Sequence, residues 1–182
     1  DALAYLRLIS NRDDDPSFER VVNLPTRGIG AKSLDGLRAA ARDAKSSMWQ
    51  AATAMLSGVP GSPGTGDLGN RGAASLLGFL LLIDQLDRDT RDLPLFEQID
   101  HVIQNTGLIE HFRKDKQDKG EARVENLDEL VSAARGFDAD ATVSSGSESE
   151  KLPPLEAFLA HAALESGEGQ AKDWEDCVQM MT

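Results

Sequence analysis

The fold depends on one short stretch of sequence, Leu24-Pro25-Thr26-Arg27-Gly28-Ile29-Gly30. A helix cannot continue through it, because Pro25 lacks an N–H donor and the two glycines permit positive φ. Hydrophobic spacing predicts a helix over residues 17–22 before it, and another over about 32–42 after it. We therefore predict an element resembling a helix-hairpin-helix, centred on a tight bend over residues 25–30 that we call the glycine turn.

The rest of the chain is also predicted to be helical. Aromatic residues make up only 5% of the chain, and strands favour the aromatic and β-branched residues that are scarce here. Helical spacing of apolar residues predicts further helices over residues 2–9, 48–56, 73–86, 95–106, 107–113, 121–134 and from 155 onward. The predicted fold class is an all-α, multi-helix domain, with a short orphan strand or extended segment at residues 178–182.

Two stretches lack helical periodicity and are predicted to be flexible loops. Residues 57–72 hold a cluster of Gly and Pro, and residues 138–152 are acidic and rich in Ser. A shorter charged turn is expected at residues 114–120. Residues 1–177 are long enough for one domain with a sizeable core.

Composition limits the classes of protein. The chain has 182 residues, of which 40% are hydrophobic and 27% charged, as in ordinary globular domains. The single cysteine, Cys177, excludes an internal disulfide. The most apolar segment, residues 73–83, is too short to span a bilayer, and no secretory signal is visible. We expect a cytoplasmic protein with no membrane partner.

Charge is distributed unevenly. The net charge of −12 argues against a protein that coats nucleic acid with its whole surface. Residues 20–45, however, have a local net charge of +4, from two acidic residues against six basic ones, Arg20, Arg27, Lys32, Arg38, Arg42 and Lys45. This basic region on an acidic body predicts a directional binding surface.

Enzymatic and metal-binding patterns are absent from the sequence. No Gly-x-x-x-x-Gly-Lys-Ser/Thr segment occurs to hold a nucleoside triphosphate. His101, His111 and His161 are not spaced as metal ligands with each other or with Cys177. We predict no catalytic residues, no cofactor and no metal in this chain.

The glycine turn carries the predicted function. Gly28 and Gly30 let the main chain approach a phosphate, and the N-terminus of the next helix presents N–H donors and a positive dipole. Ile29 is expected to pack between the flanking helices. Such contacts bind duplex DNA through its backbone without reading sequence. The predicted DNA-binding residues are Thr26, Arg27, Gly28, Ile29, Gly30, Lys32 and Ser33, with Ser47 as a weaker second anion site.

Two alternatives stay open at this stage. The glycine turn is also consistent with a purely structural bend that has basic neighbours, in a module whose acidic surface binds a protein. Ser47 is also consistent with an N-cap alone. About 3 to 5 phosphate contacts are available, so we expect micromolar or weaker binding to duplex DNA at physiological salt.

Three separated segments also carry a family resemblance. The first joins Ala4-Tyr5-Leu6-Arg7-Leu8, Asn11-Arg12-Asp13-Asp14, Phe18-Glu19-Arg20-Val21-Val22-Asn23 and the glycine turn. The second is Arg123-Val124-Glu125-Asn126-Leu127-Asp128-Glu129-Leu130, and the third is residues 155–164 with Glu168-Gly169-Gln170. Together they resemble the 2B subdomain of the bacterial UvrD, PcrA and Rep DNA helicases, most closely the UvrD branch.

The resemblance implies a helical accessory domain inserted into the second RecA-like motor domain. It implies duplex binding, rotation, autoinhibition, and contacts with other helicase domains and with repair or transcription proteins. The parent enzyme would be an ATP-dependent 3'-to-5' helicase of nucleotide excision and mismatch repair, with ATP and Mg²⁺ bound outside this chain. Residues 178–182 would then begin the strand that returns to the 2A motor domain.

Overall fold

The computed structural model describes residues 1–58, 69–114, 119–143 and 152–168. Within those ranges the chain forms nine helices and no β-strand, which confirms the all-α prediction. The helices are α1 (Ala2–Ser10), α2 (Asp15–Val21), α3 (Ala31–Ala44), α4 (Met48–Ser57), α5 (Gly69–Thr90), α6 (Leu95–Thr106), α7 (Leu108–Arg113), α8 (Lys119–Val143) and α9 (Pro154–Glu168). None of these helices combines the length and the apolar character needed to cross a bilayer.

Several predicted boundaries are wrong, because helices extend into stretches that lack apolar residues. Ser57 ends α4, residues 69–72 begin α5, residues 119–120 begin α8, and residues 138–143 end it. Extending an existing helix is much easier than starting one, so an anchored helix continues through poor helix formers. The remainders of the predicted loops and turn, at 59–68, 115–118 and 144–151, lie outside the described residues, as does the predicted strand at 178–182.

Helix α1 lies at the centre of the domain and packs against α2, α5, α6 and α9. Three aromatic rings form the core between α2, α4 and α5. The ring of Phe18 meets that of Phe79 edge to face at 5.5 Å and that of Trp49 at 6.4 Å. These arrangements are the favoured geometry for aromatic pairs, and they bring α5 beneath the segment that leads into the glycine turn.

Helix α5 is amphipathic, although the nearly continuous apolar run within residues 73–86 is typical of a helix that is buried on every side. Phe79 and Ile83 are fully buried, but Leu77 is 45% exposed and Leu81 is 56% exposed. The run of consecutive leucines obscures this pattern in the sequence, because the residues that share one face of a helix are three and four positions apart. One face of α5 packs against the domain, and the other faces solvent.

Arg12 joins α1 to α5. Its Nη1 donates to the carbonyl oxygens of Leu8 and Ile9, at 2.6 and 2.7 Å, at the end of α1 where carbonyls lack helical partners. Its Nη2 lies 3.4 Å from Asp84 and 3.3 Å from Asp87, both on α5. Arg12 therefore has a structural role.

The helices on either side of the glycine turn pack mainly against other helices. Helix α2 packs against α1 and α4, and α3 packs against α4. Between α2 and α3 the structure shows an ion pair, in which Arg38 donates to both carboxylate oxygens of Glu19. The turn is thus held by its own hydrogen bonds and by the core beneath it, and not by a tightly packed pair of flanking helices.

Candidate nucleic-acid interface

The glycine turn projects from the domain with one residue anchored in the core. Ile29 is 2% exposed, so its predicted burial is confirmed. Gly28 and Gly30 on either side of it are exposed. Gly28 has φ +80, a left-handed conformation that other residues adopt only at a cost of roughly 1–2 kcal/mol. Gly30 has φ −79 and ψ 165 and is the N-cap of α3.

The N–H groups of the turn divide into two sets. Those of Arg27 and Ile29 donate to Oδ1 of Asn23, at 2.8 and 3.3 Å. The N–H groups of Gly28 and Gly30 have no hydrogen-bond acceptor in the part of the chain that the structure describes. The N–H groups of Ala31 and Lys32, the first two of α3, also have no acceptor among the described residues, as is usual at a helix N-terminus. These free donors, together with the helix dipole, suit an anion.

Arg27 does not reach outward as the sequence suggested. Its Nη1 donates to the carbonyl oxygens of Val21 and Pro25, at 3.0 and 3.1 Å, and its Nη2 donates to the Tyr5 hydroxyl at 2.7 Å. The guanidinium also lies 5.3 Å from the centre of the Phe79 ring. These internal partners disfavour a contact between this side chain and DNA, which stays a prediction. The guanidinium thus ties the carbonyl oxygen of Val21, which also accepts from the N–H of Leu24, to that of Pro25 at the start of the turn.

Tyr5 also holds the segment before the glycine turn in place. Its hydroxyl donates to the carbonyl oxygen of Leu24 at 2.6 Å while accepting from Arg27. Burial raises the pKa of Tyr5, and the neighbouring Arg27 charge opposes that rise. The phenol stays protonated at neutral pH and can make both hydrogen bonds.

The other predicted contact residues differ in exposure. Thr26 and Lys32 are exposed, and Ser33 is half-buried with its main-chain N–H donating to the carbonyl oxygen of Gly30 at 3.0 Å. Lys32 lies in the first turn of α3, beside the free N–H groups. Its ammonium is therefore placed where it adds to the positive potential of the helix N-terminus.

Internal carboxylates neutralise part of the basic region. Arg20 donates to Asp1 at 2.8 Å, and Arg38 is paired with both Glu19 and Asp35. Glu19 and Asp1 lie outside residues 20–45 in the sequence, so the local charge of +4 does not include them. Three cations of this region remain, Lys32, Arg42 and Lys45. Among the described residues they have no carboxylate partner, and their charged groups make no internal hydrogen bonds like those of Arg27.

Groups of the chain itself surround the predicted second anion site at Ser47. It is the N-cap of α4, and its Oγ accepts from the N–H of Gln50 at 3.2 Å while donating to Asp13. The N–H of Met48 donates to Asp15 at 2.7 Å. Two carboxylates of the chain itself therefore occupy the helix N-terminus that a phosphate would need. The N-cap role of Ser47 is confirmed, whereas anion binding there stays a prediction, which these carboxylates disfavour.

His101 lines a groove between α6 and α8 with Phe96 and Arg135, and its Nε2 is 3.6 Å from Asp89. Among the described residues, no three His, Cys, Asp or Glu side chains are grouped so that they could hold a metal ion. The glycine turn is therefore the arrangement with the clearest binding chemistry.

Asn23 is the residue of this site that the sequence reasoning missed. It follows α2 by two positions and precedes the turn, and its side chain organises two of the turn's N–H groups. The available signal was the residue type, because Asn side chains commonly bond to nearby main-chain groups in turns.

Comparison with known proteins gives consistent matches along the chain. The sequence pattern of the UvrD-like helicase C-terminal domain matches residues 1–52. All 182 residues align with DNA helicase II of Escherichia coli at 50% identity and with that of Haemophilus influenzae at 47%. ATP-dependent DNA helicase PcrA of Bacillus subtilis is 34% identical over 90% of the chain. The chain spans 24%, 23% and 20% of these relatives, respectively.

Proposed function

We propose that this chain, which is homologous to DNA helicase II along its whole length, is the 2B accessory domain of an ATP-dependent 3'-to-5' DNA helicase of repair. In this role it binds the backbone of duplex DNA without sequence preference and regulates a motor that lies elsewhere. The similarity of the chain to a quarter of each relative's length supports an accessory region. ATP hydrolysis, its Mg²⁺ and any autoinhibitory rotation belong to the complete helicase.

The observation that carries the DNA-binding proposal is the set of free donors at the glycine turn. The N–H groups of Gly28 and Gly30 have no acceptor among the described residues, and they adjoin the N-terminus of a 14-residue helix. A phosphate oxygen accepts from such groups, and a charged acceptor makes these hydrogen bonds worth about 1.5–3 kcal/mol each. Lys32 adds a charge at the same place.

Gly30 supplies the sharpest test. Its φ of −79 suits any residue, and a Cβ built on it meets nothing within 4 Å. Alanine at this position therefore leaves the fold intact, while its methyl group stands where a phosphate would approach. Gly28→Ala is a poorer test, since the positive φ of Gly28 would strain alanine and disturb the turn itself.

The experiment is a titration of fluorescently labelled duplex DNA at low salt, followed by anisotropy. We expect Gly30→Ala to weaken binding at least about tenfold, which corresponds to ~1.4 kcal/mol. Gly78→Ala is the matched control, because Gly78 is exposed in the middle of α5 and an added Cβ meets nothing there either. Circular dichroism checks that all three proteins are folded.

A second function is a protein-interaction module with a purely structural turn. The internal hydrogen bonds of Arg27 favour this alternative, because they give the basic residue of the turn a structural role. Equal affinity of wild type and Gly30→Ala for duplex DNA, or no binding by wild type at low salt, would support it against DNA binding.

A further inference from the structure

Asn23 controls the direction of the N–H groups in the glycine turn. Its Oδ1 accepts from Arg27 and from Ile29, two residues apart. The residue between them, Gly28, has φ +80, so the chain reverses its direction around this oxygen. The N–H groups at positions 27 and 29 thus point toward Asn23, and the groups at positions 28 and 30 are left without an internal acceptor among the described residues.

This division of donors matters because main-chain N–H groups are satisfied wherever an acceptor is within reach. Without the Asn23 amide, the N–H groups of Arg27 and Ile29 would need other acceptors, and the turn would rearrange to find them. Asn23 is half-buried, and Ile29 beside it is almost fully buried. Solvent is therefore a poor replacement for the amide oxygen at the Ile29 position.

The charge of the acceptor matters as much as its position. An amide oxygen is neutral overall, whereas an aspartate carboxylate has the same shape and reach but carries a full negative charge. Either group can accept the two hydrogen bonds. The carboxylate, however, would lie one residue from each of the donors that a phosphate needs, and like charges at such separations repel.

We propose that Asn23 is a positioning residue for phosphate binding, which collects two N–H groups inward so that those of Gly28 and Gly30 face the DNA backbone without added negative charge. The proposal rests on the DNA-binding function proposed above. Asn23 would thus make the turn selective for an anion, although its neutral side chain does not touch the ligand.

The test compares wild type with Asn23→Ala, Asn23→Asp and the control Gln98→Ala. Gln98 is likewise a half-buried amide side chain bonded to the main chain, but its Nε2 donates, to the carbonyl oxygen of Leu93 at 2.7 Å, and it lies at the start of α6. Each protein is measured in two ways. The ¹H–¹⁵N spectrum reports the N–H groups of Gly28 and Gly30 without DNA, and a salt titration with labelled duplex reports affinity.

We expect Asn23→Ala to shift the Gly28 and Gly30 resonances and to weaken duplex binding about three- to tenfold, the effect of one or two lost hydrogen bonds. Asn23→Asp should keep the Arg27 and Ile29 hydrogen bonds and the fold. It should still weaken binding about threefold or more at low salt, and this difference should shrink as salt screens the charge. Gln98→Ala should change neither readout.

Failure of this inference is distinguishable from failure of the proposed function. Unchanged Gly28 and Gly30 resonances in Asn23→Ala would overturn the positioning role, whether or not wild type binds DNA. Binding by Asn23→Asp as tight as that of wild type at low salt would overturn the electrostatic part. Loss of DNA binding in Gly30→Ala together with normal binding in Asn23→Ala would leave the proposed function standing and refute this inference alone. If Asn23→Ala does not fold, Asn23→Asp still provides the decisive comparison.

Discussion

The salt dependence of duplex binding tests how the cations of this domain are used. Each phosphate neutralised by Lys or Arg contributes a slope of about −0.9 to the plot of log K against log salt. All six basic residues of positions 20–45 would give roughly −5.4. Three of them, Lys32, Arg42 and Lys45, have no carboxylate partner among the described residues and, unlike Arg27, no internal hydrogen bonds to their charged groups. We therefore expect a slope between about −0.9 and −2.7.

The substitution that isolates one of these contacts is Lys32→Ala. It should make the slope shallower by about 0.9, because the helix N–H groups beside Lys32 carry no counterion-releasing charge of their own. Arg91→Ala is the control with the same change in net charge. Arg91 directly follows the last residue of α5 and pairs with Asp87. At ~1.5 Å per residue, it lies roughly 18 Å from Phe79 along the helix direction.

The measurement is an anisotropy titration of labelled duplex at several salt concentrations. A tenfold rise in salt should weaken wild-type binding by up to roughly 500-fold if all three cations take part. A slope steeper than about −4 would mean that Arg20, Arg27 or Arg38 leaves its internal partners to bind DNA, and the reasoning would be refuted. The same conclusion follows if Lys32→Ala has the wild-type slope.

Two further predictions concern stability. Ile29→Ala should lower the free energy of unfolding by about 2–5 kcal/mol in urea denaturation, because Ile29 is buried and its loss leaves a cavity; a loss below about 1 kcal/mol would show that the turn is not anchored by this residue. The hydrogen bond from Arg38 lowers the pKa of Glu19, so the Glu19–Arg38 pair stabilises the fold above the ordinary glutamate range, near 4.3. The stability difference between wild type and Glu19→Gln, small because the pair is exposed, should be present at pH 6 and disappear as pH falls through the lowered pKa of Glu19; a difference that persists below that pKa would contradict the assignment.

The class of fold and the helices with clear apolar periodicity could be predicted from the sequence. Helix α6 begins and ends at the predicted residues, because its apolar side chains recur at helical spacing and Pro94 and Gly107 flank it. The ends of α5 and α8 could not be predicted in this way. Their outer turns carry small or acidic residues, and the cooperativity of an established helix overrides their weak preference.

The candidate site was predicted in outline and corrected in detail. Residue type was enough to place the bend at Gly28 and to bury Ile29, since each follows from local conformation and hydrophobicity. The destination of a long side chain depends on partners distant in sequence. Arg27 finds the Tyr5 hydroxyl 22 positions away, and Ser47 finds Asp13 34 positions away. No local pattern reports such contacts.

Helix α5 has a mechanical consequence for the whole domain. Its 22 residues make a rod of about 33 Å. Phe79 supports Arg27 near the middle of this rod, and Asp84 and Asp87 bind Arg12 further along. A displacement of the glycine turn is therefore transmitted through α5 to the segment that holds Arg12. If the chain acts as the proposed accessory domain, any rotation is expected in the segments that connect it to the rest of the helicase, with this helical body moving as a unit.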